Sequence, residues 1–216
     1  RGKALLQLNR NDQAITSLSK AAELYDGDGK IWMLLGRTLL QEQQPQEALT
    51  ALNNAVRIEP NNATAWSYHA AALKDLGQLE DAIASLEKSV TLEPDDSRLW
   101  HLRGLTLLEL NWLEAARESF TTSLKIQAYN YQGWLAMGWA LQKMEDYGLA
   151  IEAYDKSLAI EPDQPFAFYN QARCHARLGQ DMWALEHLRR AMSLDPNIYT
   201  ERAYADPLLQ SIVQDM

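Results

Sequence analysis

The chain is poor in the residues that form covalent cross-links, thiolate metal sites and membrane spans. It has a single cysteine, Cys174, among 216 residues. One cysteine excludes an internal disulfide and a cysteine-rich zinc site, and it fits a reducing compartment. Hydrophobic residues make up 47% of the sequence, yet none of their runs approaches the roughly 20 residues that a membrane-spanning helix needs. We therefore expect a cytoplasmic protein without a membrane span.

Basic charge is also scarce. The chain has 20 Lys and Arg residues against 29 Asp and Glu residues, so its formal net charge is −9. A protein that binds nucleic acid or anionic lipid with its whole surface needs a broad basic footprint. We therefore expect no nucleic-acid partner, although the composition leaves room for a local basic patch.

The motifs of catalytic and metal sites are missing as well. The four histidines, His69, His101, His175 and His187, show no spacing that places two of them on one helix face. The sequence has neither a Gly-rich phosphate loop nor a Gly-x-Ser-x-Gly motif. The Asp-Gly-Asp-Gly stretch at 26–29 resembles part of a calcium loop, but leucines occupy the first and last ligand positions. We expect no enzymatic activity, no cofactor and no metal.

What the sequence has instead is a strict internal period. Trp32, Trp66, Trp100 and Trp134 are evenly spaced, and Phe168 continues the series at the same spacing. The twentieth position of each copy is always alanine, and the eighth is glycine or alanine. Small residues at fixed positions indicate helices that cross too closely for larger side chains. The pattern predicts one small helical element copied end to end, with the tryptophans in its core.

Aligning the copies gives a partial repeat, 1–28, followed by repeats 29–62, 63–96, 97–130, 131–164 and 165–198. In each repeat, apolar positions spaced i, i+4, i+7 predict a first helix, and a second apolar stripe predicts a second helix. A short turn with Gly77, Gly179 or a polar residue separates the two. Prolines such as Pro60 and Pro94 end the second helix.

The last residues depart from the pattern. We predict a C-terminal capping helix, 199–216, in which Leu208, Leu209, Ile212 and Val213 cover the apolar face of the last repeat. No comparable cap precedes the first repeat, so we expect the chain to be a fragment of a longer one. An exposed first repeat leaves two states open, a monomer and an end-to-end homodimer.

These residues resemble the tetratricopeptide repeat (TPR). The resemblance rests on Trp at position 4, Gly at 8, Ala at 20, Ala or Ser at 27 and Pro at 32 of a 34-residue period, and it covers residues 1–198. It implies an all-α, right-handed superhelical α-solenoid forming a single domain over residues 1–216. It also implies that the first helices line a concave groove, and that the protein is a non-catalytic scaffold or adaptor for another protein or peptide.

Function is expected where the copies differ, on the first-helix positions that face this groove by resemblance. There the chain offers eight Lys or Arg residues, Lys3 among them, against two acids. We therefore predict a groove for an acidic peptide segment, with aromatic and apolar anchors near its middle. The predicted ligand-binding residues are Lys30, Met33, Arg37, Tyr68, Arg98, His101, Leu135, Trp139, Tyr169, Arg173 and Arg177.

Other interpretations stay open. These positions are also compatible with an ordinary solvated helix surface, and the chain with a regulatory or partner-recruiting domain of a larger enzyme or transport assembly. RNA binding, known for related 35-residue repeats, is disfavoured by the 34-residue period and the acidic composition. Two specialised TPR grooves are excluded, because no copy has the Lys and Asn pair that clamps chaperone C-termini, and only Asn170 matches an asparagine ladder.

Overall fold

The computed structural model describes residues 2–214, apart from the side chain of Lys3, and its regular structure there is entirely α-helical. The chain forms two compact units, residues 1–110 and 111–216. The first unit contains α1 (Gly2–Gln7), α2 (Asn11–Leu24), α3 (Gly29–Gln41), α4 (Pro45–Ile58), α5 (Ala63–Asp75), α6 (Leu79–Leu92) and α7 (Ser97–Glu109). The second contains α8 (Leu113–Ile126), α9 (Tyr131–Lys143), α10 (Tyr147–Ile160), α11 (Pro165–Arg177), α12 (Asp181–Leu194), α13 (Pro196–Ala205) and α14 (Gln210–Gln214). The predicted all-α fold is confirmed.

The helix boundaries repeat with the sequence. The first helices α3, α5, α7, α9 and α11 each span 13 residues and begin at the same position of their repeats. Within each compact unit a first helix packs most extensively on the second helix of its own repeat, as α3 does on α4 and α9 on α10. It then contacts the second helix of the preceding repeat. These helix pairs confirm the predicted α-solenoid of 34-residue helix-turn-helix repeats.

Small residues allow the paired helices to approach closely. Ala48 and Ala150, at the twentieth position of their repeats, are fully buried. At the eighth position, a Cβ atom on Gly138 would lie 2.6 Å from Cε1 of Tyr154, well inside van der Waals contact. Tyr154 is itself fully buried. The bulk of the second helix is thus matched by the missing side chain on the first.

A left-handed residue ends the turn between the two helices of every repeat. Glycine adopts this conformation without a steric penalty, whereas other residues adopt it at a cost. The left-handed residues are Asn9, Gln43, Gly77, Asn111, Glu145 and Gly179, with φ between 54° and 75°. The turn geometry is therefore common to all repeats, although only two of them use glycine.

The periodic tryptophans are half-buried, where the sequence led us to expect core residues. Each indole Nε1–H donates a hydrogen bond to the backbone carbonyl oxygen six residues earlier. The pairs are Trp32 with Asp26 (3.0 Å), Trp66 with Pro60 (2.8 Å), Trp100 with Pro94 (2.8 Å) and Trp134 with Ala128 (2.9 Å). The tryptophans thus hold the loop between consecutive repeats against the following helix.

The C-terminal segment packs on the last repeat as two short helices, α13 and α14, where the sequence predicted one capping helix. Tyr199 of α13 and Leu209, Ile212 and Val213 after it are buried in one cluster with Tyr169 of α11. The segment turns between the two helices at Asp206, whose carboxylate Oδ1 accepts a hydrogen bond from the Leu208 backbone N–H at 3.0 Å. This turn places Asp206 and Leu208 beside the first helices of the second unit.

Candidate functional site

In the first compact unit, the predicted ligand-binding residues differ widely in exposure. Lys30 is exposed at the start of α3, and Arg37 is half-buried further along the same helix. Met33 and Tyr68 are half-buried and pack against the cluster of buried residues formed by α2 to α5. Of these residues, Lys30 and Arg37 offer unpaired charge within the described part of the chain.

Two predicted groove cations of this unit are paired within the protein. Arg98 Nη2 lies 2.6 Å from Oδ2 of Asp96, the residue that caps α7, and Lys74 Nζ lies 2.7 Å from Oε1 of Glu109. The Arg98 guanidinium holds the pKa of Asp96 below its ordinary value by hydrogen bonding. The positive surface is therefore weaker than residue counting indicated.

His101 is half-buried on α7, and burial lowers its pKa. A lowered pKa keeps the imidazole neutral at neutral pH. His101 therefore adds polar and aromatic surface to the first-helix side of this unit, and it adds no positive charge there.

In the second compact unit, several predicted residues line one cavity of about 280 Å³. We call it the α9–α11 cavity. Its lining residues are Trp139, Gln142, Lys143, Glu145, Tyr147, Arg173, Arg177 and Leu208. They come from α9, from the turn and start of α10, from α11 and from the C-terminal turn, so sequence-distant residues form this site.

Trp139 is the main apolar element of the cavity. It is 39% exposed, although it stands on α9 between the buried residues Gly138 and Ala140. Its ring makes an edge-to-face contact with Phe166 at 6.4 Å between centroids, and Lys143 Nζ lies 5.6 Å from the Trp139 centroid. Leu135, one turn earlier, is half-buried. Trp139 thus presents an aromatic face to solvent next to a cation.

Tyr169 and Arg173 are engaged inside the protein. Both contact Oδ2 of Asp206, to which the Tyr169 hydroxyl donates a hydrogen bond at 2.9 Å and from which Arg173 Nε lies 2.9 Å. Tyr169 is 9% exposed, and burial together with the Asp206 hydrogen bond raises its pKa to about 12. These two residues anchor the C-terminal turn at the edge of the cavity.

Two cations of the α9–α11 cavity form no ion pair with any residue that the structure describes. They are Lys143 and Arg177, both exposed, and they share the cavity with one acid, Glu145. Aromatic surface beside unpaired cations suits a ligand that carries an apolar side chain next to an anionic group.

Sequence reasoning missed the contribution of the C-terminal turn. Asp206 neutralises Arg173, and Leu208 lines the cavity. Both were assigned to the cap, because a sequence pattern shows which residues depart from the repeat but not which helix they reach. The signal available was an acid directly before a helix-breaking proline, Pro207.

It also missed an aromatic stack in the last repeat. The rings of His175 on α11 and His187 on α12 are nearly parallel, with centroids 5.0 Å apart, and Trp183 lies 6.3 Å from His187. Burial lowers the pKa of His187, and His175 lowers it further. Trp183 and its neighbour Met182 are exposed, where earlier repeats carry mostly polar residues at the position of Met182.

The described residues hold no group of three or more His, Cys, Asp or Glu side chains arranged to bind a metal ion. Cys174 is fully buried, and burial raises its pKa to about 12. A thiol with that pKa is a poor nucleophile at neutral pH. Of the helices within residues 2–214, none combines the length and the apolar character that crossing a membrane requires.

Comparison with solved structures identifies many helical-repeat proteins of the same fold. The structure of PilF from Pseudomonas aeruginosa has a TM-score of 0.77 and 21% identity, over 100% of this chain and 94% of that chain. YrrB, described as a TPR protein with an unusual peptide-binding site, has a TM-score of 0.73 and 18% identity, over 92% and 98%. MamA from Desulfovibrio magneticus has a TM-score of 0.74 and 21% identity, over 79% and 96%. At these identities the likeness concerns the fold.

No curated protein matches the chain in sequence. Family models of the tetratricopeptide repeat do match it, at residues 1–63, 39–105, 97–130, 131–164 and 153–186. These matches follow the helix pairs and the 34-residue period described above. The chain belongs to the tetratricopeptide-repeat family.

Proposed function

We propose that this chain is a non-catalytic binding module that holds an acidic segment of another protein against its first helices. TPR proteins generally act as protein-interaction scaffolds, and a solved relative of the same fold is described as peptide-binding. The acidic character of the segment is our inference from the charges of this chain. The cytoplasm, with its reduced thiols, is the compartment we propose.

The α9–α11 cavity carries this proposal. It combines a partly exposed tryptophan, Trp139, with two exposed cations, Lys143 and Arg177, that have no acidic partner among the described residues. In a protein of net charge −9, unpaired cations beside an aromatic ring are a local exception. Such a site favours a carboxylate next to an apolar side chain, because the ring excludes water from the ion pair.

The test measures binding of a short, end-capped peptide of Glu and Ala with one central Leu to the full chain, by fluorescence anisotropy. A peptide with Lys in place of Glu is the charge control. The variant Trp139→Ala/Lys143→Ala/Arg177→Ala is expected to weaken binding of the acidic peptide at least about tenfold, since central aromatic and Arg residues dominate binding energy. Affinity is also expected to fall as salt is raised.

A matched variant separates the site from a general loss of charge. Trp112→Ala/Lys125→Ala/Arg189→Ala removes one exposed tryptophan and two exposed cations of the same compact unit, outside the cavity. It is expected to leave the affinity unchanged. Equal weakening by both triple variants, or equal binding of the Lys peptide, would contradict the proposal.

A further inference from the structure

Arg37 on α3 carries a buried polar atom that has no partner. Its Nε is excluded from solvent and has no hydrogen-bond acceptor among the described residues. The helix that bears it, α3, contains no acidic residue. A buried donor without an acceptor destabilises the folded chain. Packing alone does not account for this arginine, because an apolar side chain at the same position would avoid the unpaired donor.

Arg173 occupies the corresponding position of a later repeat and has an ionic partner there. Arg37 is the ninth residue of α3, and Arg173 is the ninth residue of α11. Arg173 Nε lies 2.9 Å from the Asp206 carboxylate, whose side chain is only 11% exposed. The contact is an ion pair whose N–H is not aligned for a hydrogen bond. At this position of the repeat, an arginine can therefore hold a carboxylate.

The chain supplies that carboxylate once and omits it at Arg37. The step along the chain that leads from Arg173 to Asp206 leads from Arg37 to Ala70. Ala70 lies on α5, the neighbouring first helix, which contacts α3. The next residue is Ala71, and the only acid of α5 is its last residue, Asp75. The first unit thus has a methyl group at the sequence position that corresponds to the acceptor of Arg173.

We propose that Arg37 is a carboxylate-binding residue, which binds an Asp or Glu side chain of the acidic segment much as Arg173 holds Asp206. The guanidinium donates its Nε–H and an Nη–H to the two carboxylate oxygens, the fork geometry that arginine offers and lysine does not. The exposed Lys30, two turns earlier on α3, adds positive charge on the approach to this site. This inference rests on the proposed function and assigns part of its specificity to the first compact unit.

The experiment follows the arginine Nε–H signals of the full ¹⁵N-labelled chain by NMR. The probe is hexaglutamate with both ends capped, and the Arg37 signal is assigned from the variant Arg37→Lys. We expect the probe to shift the Arg37 signal and to leave that of Arg173 in place, because Asp206 already holds Arg173. Capped hexaglutamine is expected to shift neither.

Binding measurements on variants provide the second readout. Arg37→Lys keeps the charge and loses the fork, and it is expected to weaken hexaglutamate binding about tenfold, as a charge-assisted hydrogen bond predicts. The matched control is Arg57→Lys, an exposed arginine on α4, which is expected to bind as the unmodified chain does.

The outcomes distinguish this inference from the proposed function. If the cavity variant Trp139→Ala/Lys143→Ala/Arg177→Ala weakens binding while Arg37→Lys does not, the Arg37 site is wrong and the proposed function stands. If hexaglutamate fails to bind the unmodified chain, both are wrong. If hexaglutamine with a free C-terminus shifts the Arg37 signal and capped hexaglutamate does not, the site binds a chain end and the assignment to acidic side chains is wrong.

Discussion

The indole Nε1–H of Trp134 donates a hydrogen bond to the carbonyl oxygen of Ala128 at 2.9 Å. Ala128 lies in the loop after α8, and Trp134 lies in the first turn of α9, so one side chain holds the connection between two repeats. Lys156 Nζ covers the other side of the ring, 4.4 Å from its centroid. The periodic tryptophans therefore have a structural role at the repeat junctions.

Substituting Trp134 separates its hydrogen bond from its packing. Trp134→Phe keeps a ring and removes the donor, which is expected to lower the free energy of unfolding by about 1 kcal/mol. Trp134→Ala removes the ring as well, and a loss of about 2–4 kcal/mol is expected for a half-buried aromatic. Urea denaturation measures both. Trp112→Phe, at an exposed site, is the control, and equal stability of Trp134→Phe and the unmodified chain would contradict the role of the hydrogen bond.

The left-handed turn residues predict opposite effects of two glycine substitutions. Gln43 has φ 57°, which strains a residue with a side chain, whereas Gly77 has φ 75° at the same position of the next repeat. Gln43→Gly is expected to raise the thermal midpoint and Gly77→Ala to lower it, each by about 1 kcal/mol of stability. Thermal unfolding followed by circular dichroism tests this. A lower midpoint for Gln43→Gly would show that its side chain stabilises the turn by other contacts.

Asp206 is expected to secure the C-terminal turn. Asp206→Asn keeps the shape of the side chain and removes the charge that Arg173 requires, so unfolding free energy is expected to fall by about 1–3 kcal/mol. Asp163→Asn is the matched control, because the Arg190–Asp163 pair is exposed and such pairs contribute about 0–1 kcal/mol. Urea titrations of both variants decide the point, and a loss at Asp163 equal to that at Asp206 would count against it.

Stability is expected to fall on mild acidification. Burial lowers the pKa of His69, His101 and His187 from the ordinary value of 6.5. The unfolded chain then binds more protons than the folded one as pH falls through about 6.5, so the folded state loses stability from about pH 7.5 to about pH 5.5. Urea denaturation across this range measures the loss, and His187→Gln is expected to reduce it. A flat profile would contradict the prediction.

Most of the fold followed from the repeat pattern. The even spacing of Trp32 to Trp134 and the small residues at fixed positions predict helix pairs, and each pair begins and ends at equivalent residues. Such contacts lie between neighbouring elements, so a local pattern is sufficient to specify them. The fate of the groove charges did not follow, because Arg98 pairs with its own capping residue, Asp96, and Arg173 pairs with Asp206.

The sequence by itself determined the helix pairs, their boundaries and their family, because each repeat packs on its neighbours in sequence. Tertiary structure decided which charged side chains are left without an ionic partner. Arg37 and Arg173 stand at the same position of two repeats, and only the packed C-terminal turn distinguishes them, by bringing a carboxylate to one and none to the other. The physical reason is that an ion pair depends on distances of a few ångströms between residues far apart in the chain, which periodicity does not encode.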